Sequence, residues 1–494
     1  MPQSPAWECS RDYRTPRRQT IMRFLNDRNC RPRNRGARQV TGATVLLVAI
    51  VPIAIAARAT PSRAQQTAPV TSSPAASMAE TSDAAPPSDP VAAQPSQPTL
   101  RSQYAPLALD SPYATGDWLG LRTALEDAGI ATQFFYNDTY QWVTKGGLNT
   151  GGHNGATIDW LVTVDFDRLK LIPGGKLLGH FRRQWGEGVN PWTGALWQVA
   201  DDLDGDESLH VDQLWYEQAL IKNVLSLTVG FLDYQTIVDR NAFANSEDKQ
   251  FLNQALDNNP LLPLNIGLGA TLTFKPVSWF SVVTGVGDAD SVLFKPGFST
   301  AFHGPARFVW FTEPSFQASL PNLFGPGALS GTYRFGMVYD PRSRVLFTPP
   351  GTRPELIGRR GDDVGFYASF DQKLFRENDR GEQGLGWFGR YGFRHGDINR
   401  IQNFWSTGLE YRGLIPTRND DALGAAVFQS IPSRTFNDKV NRLAEAETGL
   451  EVYYSFQVTR WLVITPDFQY ISSPGIGSSV QDAIVLGVRT RISF

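Results

Sequence analysis

The sequence predicts an all-β protein: a transmembrane antiparallel β-barrel of about 16 strands preceded by a short N-terminal helix. Three observations predict it. Apolar and polar residues alternate with period two through most of the chain after residue 130. The only long apolar run lies near the start, so a membrane helix is not available to the rest. The last stretch, Ala483 to Phe494, sets Ile484, Leu486, Val488, Thr490, Ile492 and Phe494 on one face and Val485, Gly487, Arg489, Arg491 and Ser493 on the other. A soluble edge strand would alternate too, but two arginines on one face suit a sheet with lipid on one side and water on the other. An aromatic final residue after alternating apolar positions is similar to the signal read by the barrel-assembly machinery of Gram-negative outer membranes. That machinery, through Phe494, and outer-membrane lipid are therefore expected partners.

An outer-membrane location requires export, and the first residues meet that requirement. Arginines crowd positions 11 to 38, an apolar run extends from Val45 to Ala57, and Ser62 and Ala64 supply small residues for cleavage. Residues 1–64 are expected to be a signal peptide, with Met22 as an alternative start to Met1. The run is too short, and too interrupted by Pro52, to span a bilayer. Its removal takes away Cys9 and Cys30, leaving no thiolate ligand, cysteine nucleophile or disulfide. It also leaves 34 basic against 45 acidic side chains, a net charge of −11 that argues against nucleic acid as a partner.

Residues 65–104 are rich in Ala, Pro, Ser and Gln with hardly an aromatic, and read as a disordered linker. The barrel domain is assigned to residues 105–494. Within it, Thr115 to Ile130 has helical spacing, with Trp118, Leu121, Leu125 and Ala128 on one face and Asp117 placed to cap the first turn. Strands then follow one another. Ile158, Trp160, Val162, Val164 and Phe166 alternate with Thr157, Asp159, Thr163 and Asp165, and Leu450 to Val458 repeats the pattern. About 365 residues remain after the helix, and a tilted strand with its connection takes roughly 20 to 25, hence about 16 strands around an aqueous lumen. Aromatics make up 12% of the chain, and Trp405, Tyr411, Trp461 and Tyr470 near strand ends suit an interfacial girdle. Short links such as Thr459–Arg460 read as periplasmic turns. The longer segments 201–208, 241–263, 341–362 and 376–384 read as external loops.

Four stretches carry a family resemblance. GDWLGLR, with Gly116, Asp117, Trp118 and Arg122, resembles the opening motif of the carbohydrate-selective outer-membrane porins of the OprB type. PDFQYISSPG, with Pro466, Asp467, Gln469 and Tyr470, resembles that family's penultimate strand, and residues 408–424 resemble the strand, turn and strand before it. Residues 216–234, with the following NAFANS, match as well, so the likeness runs in order over about 110–494. Leu119 stands where the motif would have glycine, and residues 231–233 depart from the usual lysine-containing version. The resemblance implies a barrel passing glucose-like monosaccharides by facilitated diffusion into the periplasm, with inward loops shaping a constriction. It implies no cofactor and no metal, and a homo-oligomer is compatible with it. A general diffusion porin without sugar preference is the alternative.

Small sugars present hydroxyls and apolar ring faces, so a sugar pore needs charged or amide side chains beside aromatics. Alternation puts Leu178, His180, Arg182 and Gln184 on the lumen face of one strand, with Arg183 and Trp185 opposite. It puts Asp159, Asp165, Arg390, Arg394, Glu410, Arg412, Glu451, Gln457, Asp467 and Gln469 on the lumen faces of others. Arg182, Arg394, Arg412 and Glu410 are the preferred selectivity residues, because mixed charge at mid-strand binds hydroxyls without repelling either sign. For each, the competing reading is an ordinary solvated wall position. A barrel enzyme is the rival of another class. The five histidines, His153, His180, His210, His303 and His395, are scattered singly in no catalytic motif, which weighs against it.

Overall fold

The computed structural model describes residues 111–494 apart from 265, 296, 303–304, 323–324, 378–381 and 478. The signal peptide, the linker and His303 lie outside the described residues. Sixteen strands close into one antiparallel barrel: β1 (Ile130–Gly147), β2 (Gly151–Asp165), β3 (Gly175–Trp185), β4 (Glu207–Ile221), β5 (Leu225–Asp233), β6 (Ile266–Val277), β7 (Phe280–Asp288), β8 (Phe308–Pro321), β9 (Ala328–Asp340), β12 (Asp363–Arg376), β13 (Gly384–Phe393), β14 (Ile401–Arg412), β15 (Ala422–Pro432), β16 (Glu447–Thr459), β17 (Leu462–Ser472) and β18 (Gln481–Ser493). The remaining pair, β10 (Arg344–Val345) and β11 (Arg359–Arg360), forms a separate ribbon in the connection between β9 and β12. Every barrel strand pairs with its neighbour in sequence, and β1 pairs with β18 to close the ring, so no edge is left open.

The period-two pattern produces a barrel with its polarity turned inside out. Phe134, Tyr140, Trp142, Trp160, Trp387, Tyr391, Leu486 and Val488 are exposed on the outer face. On the alternate positions Asn137, Thr139, Gln141, Thr157, Asp159, Glu451, Gln469 and Arg489 point inward and are buried. The two ends of the barrel differ. The near end carries the start of β1 and the end of β18, with Arg460 and Trp461 as one of its tight turns; the far end carries the connections 186–206, 234–265 and 341–362. The segment 376–384, expected among the external loops, has both its ends at the near end, because Arg376 pairs with Gly384 where β12 arrives from the far end and β13 turns back toward it.

The expected helix is shorter than its apolar spacing suggests. A 3-10 turn at Trp118–Gly120 precedes α1 (Leu121–Ala128), and Gly120 rather than Asp117 is the capping residue. Asp117 reaches further, accepting bonds from the backbone N–H and the hydroxyl of Thr123. The break has a backbone cause: Trp118 and Leu119 have φ of 50° and 62°. Leu119 thus sits in the left-handed region at the position where glycine was expected, with its side chain 75% exposed. Leu119→Gly should raise the temperature of the barrel's heat-modifiable gel transition, by a stabilisation of about 1 kcal/mol. An unchanged or lowered transition would show that the Leu119 side chain contributes more than its backbone strain costs.

Candidate functional site

Two far-end connections turn into the lumen: loop A, residues 186–206 with α2 (Asn190–Thr193), and loop B, residues 234–265 with α3 (Gln254–Asp257). A 32-residue connection is too long to be an ordinary surface turn, and its apolar residues need cover. They find it inside the barrel. Phe251 of loop B packs its ring at 5.6 Å from Phe388 of β13 and 5.0 Å from Tyr453 of β16. Val189 and Val199 of loop A join Ala255, Leu256, Phe404, Phe428 and Ile471 in the same buried cluster. Gly386 on β13 is a seat for Phe243, since a Cβ there would lie 2.2 Å from that ring.

Polar wall residues then fix the loops' main chains. Glu451 accepts the backbone N–H groups of Leu252 (2.6 Å) and Asn253 (2.9 Å). Gln469 donates to the carbonyl of Val199 (2.8 Å) and accepts from the Asn253 amide (3.0 Å), so one side chain holds both loops. Arg390 donates to the carbonyls of Leu256 and Ala244 and pairs with Asp239 at 3.3 Å. Arg394 pairs with Asp363 and donates to Leu261 at 2.8 Å. Arg489 donates to the carbonyls of Glu247 and Gln250. Loop A is tied by Asp202, which pairs with Arg182 and accepts from Thr157 at 3.1 Å. The loops also bond each other, Asp201 N–H to Leu252 O at 2.9 Å and the Asn258 amide to the Asp201 carboxylate at 2.5 Å.

The sequence-predicted residues therefore occupy three kinds of place. Glu451, Gln469, Arg394 and Arg182 lie where the loops meet the wall. Asp159 joins them as partner of Arg182 (2.9 Å) and His180 (2.7 Å). Gln184 is 1% exposed in the same wall, and Glu410 accepts from the Tyr453 hydroxyl at 2.6 Å beneath Phe251. Asp467 accepts from Gln469 at 3.0 Å. Two candidates are elsewhere. Asp165, at the near-end tip of β2, accepts from the backbone N–H groups of Asp167 and Arg168 and so shapes a turn. Arg412 ends β14 at the near end, where its charge, after the Lys373 hydrogen bond and together with Arg376, helps hold the Glu382 carboxyl below its ordinary value. The other motif residues act structurally. Gly116 has a φ of 66°, Pro466 is exposed on the outer face of β17, and Tyr470 donates to Asp482 at 2.5 Å. Asp202, Asp239, Arg240 and Asn253, all on the inward loops, escaped the sequence reading. The length of the 234–265 connection was the signal that could have found three of them.

Burial gives the loops an unusual charge state. It pushes the Asp201, Asp202, Asp257 and Glu247 carboxyls up, with nearby acids adding to the effect and Arg182 only partly opposing it at Asp202. Acids whose proton affinity rises on folding favour the folded state most at low pH, and that contribution is lost as pH rises from the ordinary carboxylate range through the raised values. Hydrogen exchange of residues 186–206 and 234–265, corrected for intrinsic rate, should show more protection at about pH 5 than at about pH 8. Equal or greater protection at the higher pH would mean that these carboxyls do not govern how the loops are seated.

Comparison with known proteins agrees with this architecture. Residues 184–494 match the carbohydrate-selective porin, OprB family. The chain belongs to that family. It is 22% identical to Porin B of Pseudomonas aeruginosa over 428 residues, 78% of this chain and 92% of that protein. It is also 22% identical to the putative porin QuiX of Acinetobacter baylyi over 207 residues, 37% of this chain and 45% of that one. Among solved structures, the high pH structure of Pseudomonas putida OprB superposes with a TM-score of 0.68 at 20% identity, covering 78% of this chain and 99% of the other. An OprB-family porin is an outer-membrane channel and not an enzyme, so the barrel-enzyme reading is set aside.

Proposed function

We propose that this porin passes monosaccharide-sized carbohydrates by facilitated diffusion, from the far end, facing the exterior, to the near end, facing the periplasm. The observation that carries the reading is the seating of loops A and B on the lumen wall by Glu451, Gln469, Arg390 and Arg394, which puts two fixed loops inside a sixteen-strand lumen, where they narrow it. Membership of a carbohydrate-selective family supports the same reading. Its other parts are cleavage of residues 1–64, a linker over residues 65–104, and insertion by the barrel-assembly machinery through Phe494, whose ring packs against Phe134 at 5.5 Å. Solute would move down its gradient, held by a site weak enough to release it.

Single-channel conductance in planar bilayers tests this. Added glucose should reduce the current reversibly, and maltose should do so less. Conductance indifferent to both sugars would assign a general diffusion porin instead.

A further inference from the structure

Loop B carries one arginine whose backbone is fixed and whose side chain is left free. The residues on either side of Arg240 are pinned: the Asp239 N–H donates to Glu313 at 2.7 Å and its carboxylate pairs with Arg390, while the Asn241 amide donates to the carbonyl of Phe370 at 2.9 Å. Glu313, Arg390 and Phe370 belong to β8, β13 and β12, so this stretch of loop B lies against the barrel wall from within. Arg240 itself is exposed and has no hydrogen bond or ion pair among the described residues. Its nearest charges are Arg334 and the Glu313 carboxylate, and neither bonds it. Arg334 is matched with Asp371 at 2.6 Å, and Glu313 already accepts from Tyr367 at 2.6 Å and from Asp239. Desolvation first, and the neighbouring Arg334 second, lower the proton affinity of Arg240 while Glu313 partly opposes them, and a guanidinium stays charged across any physiological range. Lys249, further along the loop, is also exposed, with its charge acting on the Asp248 carboxylate.

Several acids of the same loops are engaged, while Glu187 and Asp206 of loop A are exposed. Asp257 is buried, Asp202 is spent on Arg182 and Asp248 on Arg491 at 3.0 Å, and Asp201 accepts from Asn258. Arg240 thus leaves a guanidinium with unbonded donors on the inner side of the wall. We propose that Arg240 is an anion-recognition residue of the constriction and that the favoured solutes are monosaccharides bearing an oxyanion, carboxylate or phosphate. This rests on the sugar-channel reading above. A guanidinium offers paired donors matching either group, and its immobile backbone leaves little chain entropy to lose on binding.

The test is current block in planar bilayers by glucose, gluconate and glucose 6-phosphate at equal ionic strength, for the wild type, Arg240→Ala and Arg240→Lys. Gluconate or glucose 6-phosphate should block the wild type more tightly than glucose, and the stronger of the two identifies the oxyanion. Arg240→Ala should weaken that anion's block about two- to fivefold, the size expected of a wet charge pair, while leaving glucose block within error. Arg240→Lys should keep most of the anion preference, and its gel migration controls for assembly. If glucose blocks as well as either anion, or if Arg240→Ala weakens all three alike, the assignment is overturned while the sugar channel stands. If none of the three blocks, both readings fall.

Discussion

Arg122→Ala is expected to cost the barrel about 3 to 5 kcal/mol and to lower sharply the fraction that migrates as folded, heat-modifiable protein. Arg122 is 2% exposed although it lies on a surface helix. Its guanidinium donates to the main-chain oxygen of Phe494 at 2.7 Å and to that of Thr132 at 3.3 Å, bridging β18 to β1 across the closing seam. The rings of Tyr113 and Trp118 cover it, with their centroids 3.6 and 4.2 Å from Cζ. Ala114 adds a bond to Ser493 O at 2.8 Å. Hydrogen bonds from a charged donor contribute about 1.5 to 3 kcal/mol each and a cation over an aromatic face about 0.5 to 2, and these do not add fully because they share one side chain. The opening motif is therefore a clasp over the barrel seam. Arg122→Lys should recover only part of the loss, since an ammonium cannot match the planar fork that reaches two main-chain oxygens between two rings. An Arg122→Ala variant with wild-type yield and transition temperature would show that the β1–β18 ladder closes without it.

The barrel was legible because its cause is local: alternation assigns each residue to a face without reference to anything distant. Strand number followed from length alone. What alternation cannot give is height along the barrel or what lies against a wall residue. Glu410 and Arg412 share a face in the sequence, yet the first is buried under Tyr453 and the second ends its strand at the near end. Glu451 reads as a solvated wall carboxylate. Its partner is Leu252, 199 residues away, supplied by a loop whose inward course leaves no periodic signal. The left-handed backbone at Trp118 and Leu119 was hidden for another reason, because the propensity of TALEDA favours a helix and the strain falls on two residues before it.

Arg390→Ala is expected to release loop B without dismantling the barrel. The Arg390 side chain is fully buried and bonds two loop carbonyls while matching the Asp239 carboxylate. Its loss would leave that carboxylate buried with neither of its oxygens accepting any hydrogen bond, a cost of about 3 to 5 kcal/mol that the loop can relieve by moving into water. The wall has no such incentive, because the β13 ladder to β12 and β14 is made of backbone bonds that the substitution leaves intact. Gel migration of the folded form should therefore stay at the wild-type position, while single-channel conductance rises, sugar block weakens and hydrogen exchange within 234–265 accelerates. Arg390→Met should behave alike, since it restores volume but none of the bonds, whereas loss of packing alone would be repaired by it. Wild-type conductance in both variants would mean that the Phe251 contacts with Phe388 and Tyr453 suffice to hold the loop, leaving Arg390 as no more than a satisfied wall residue.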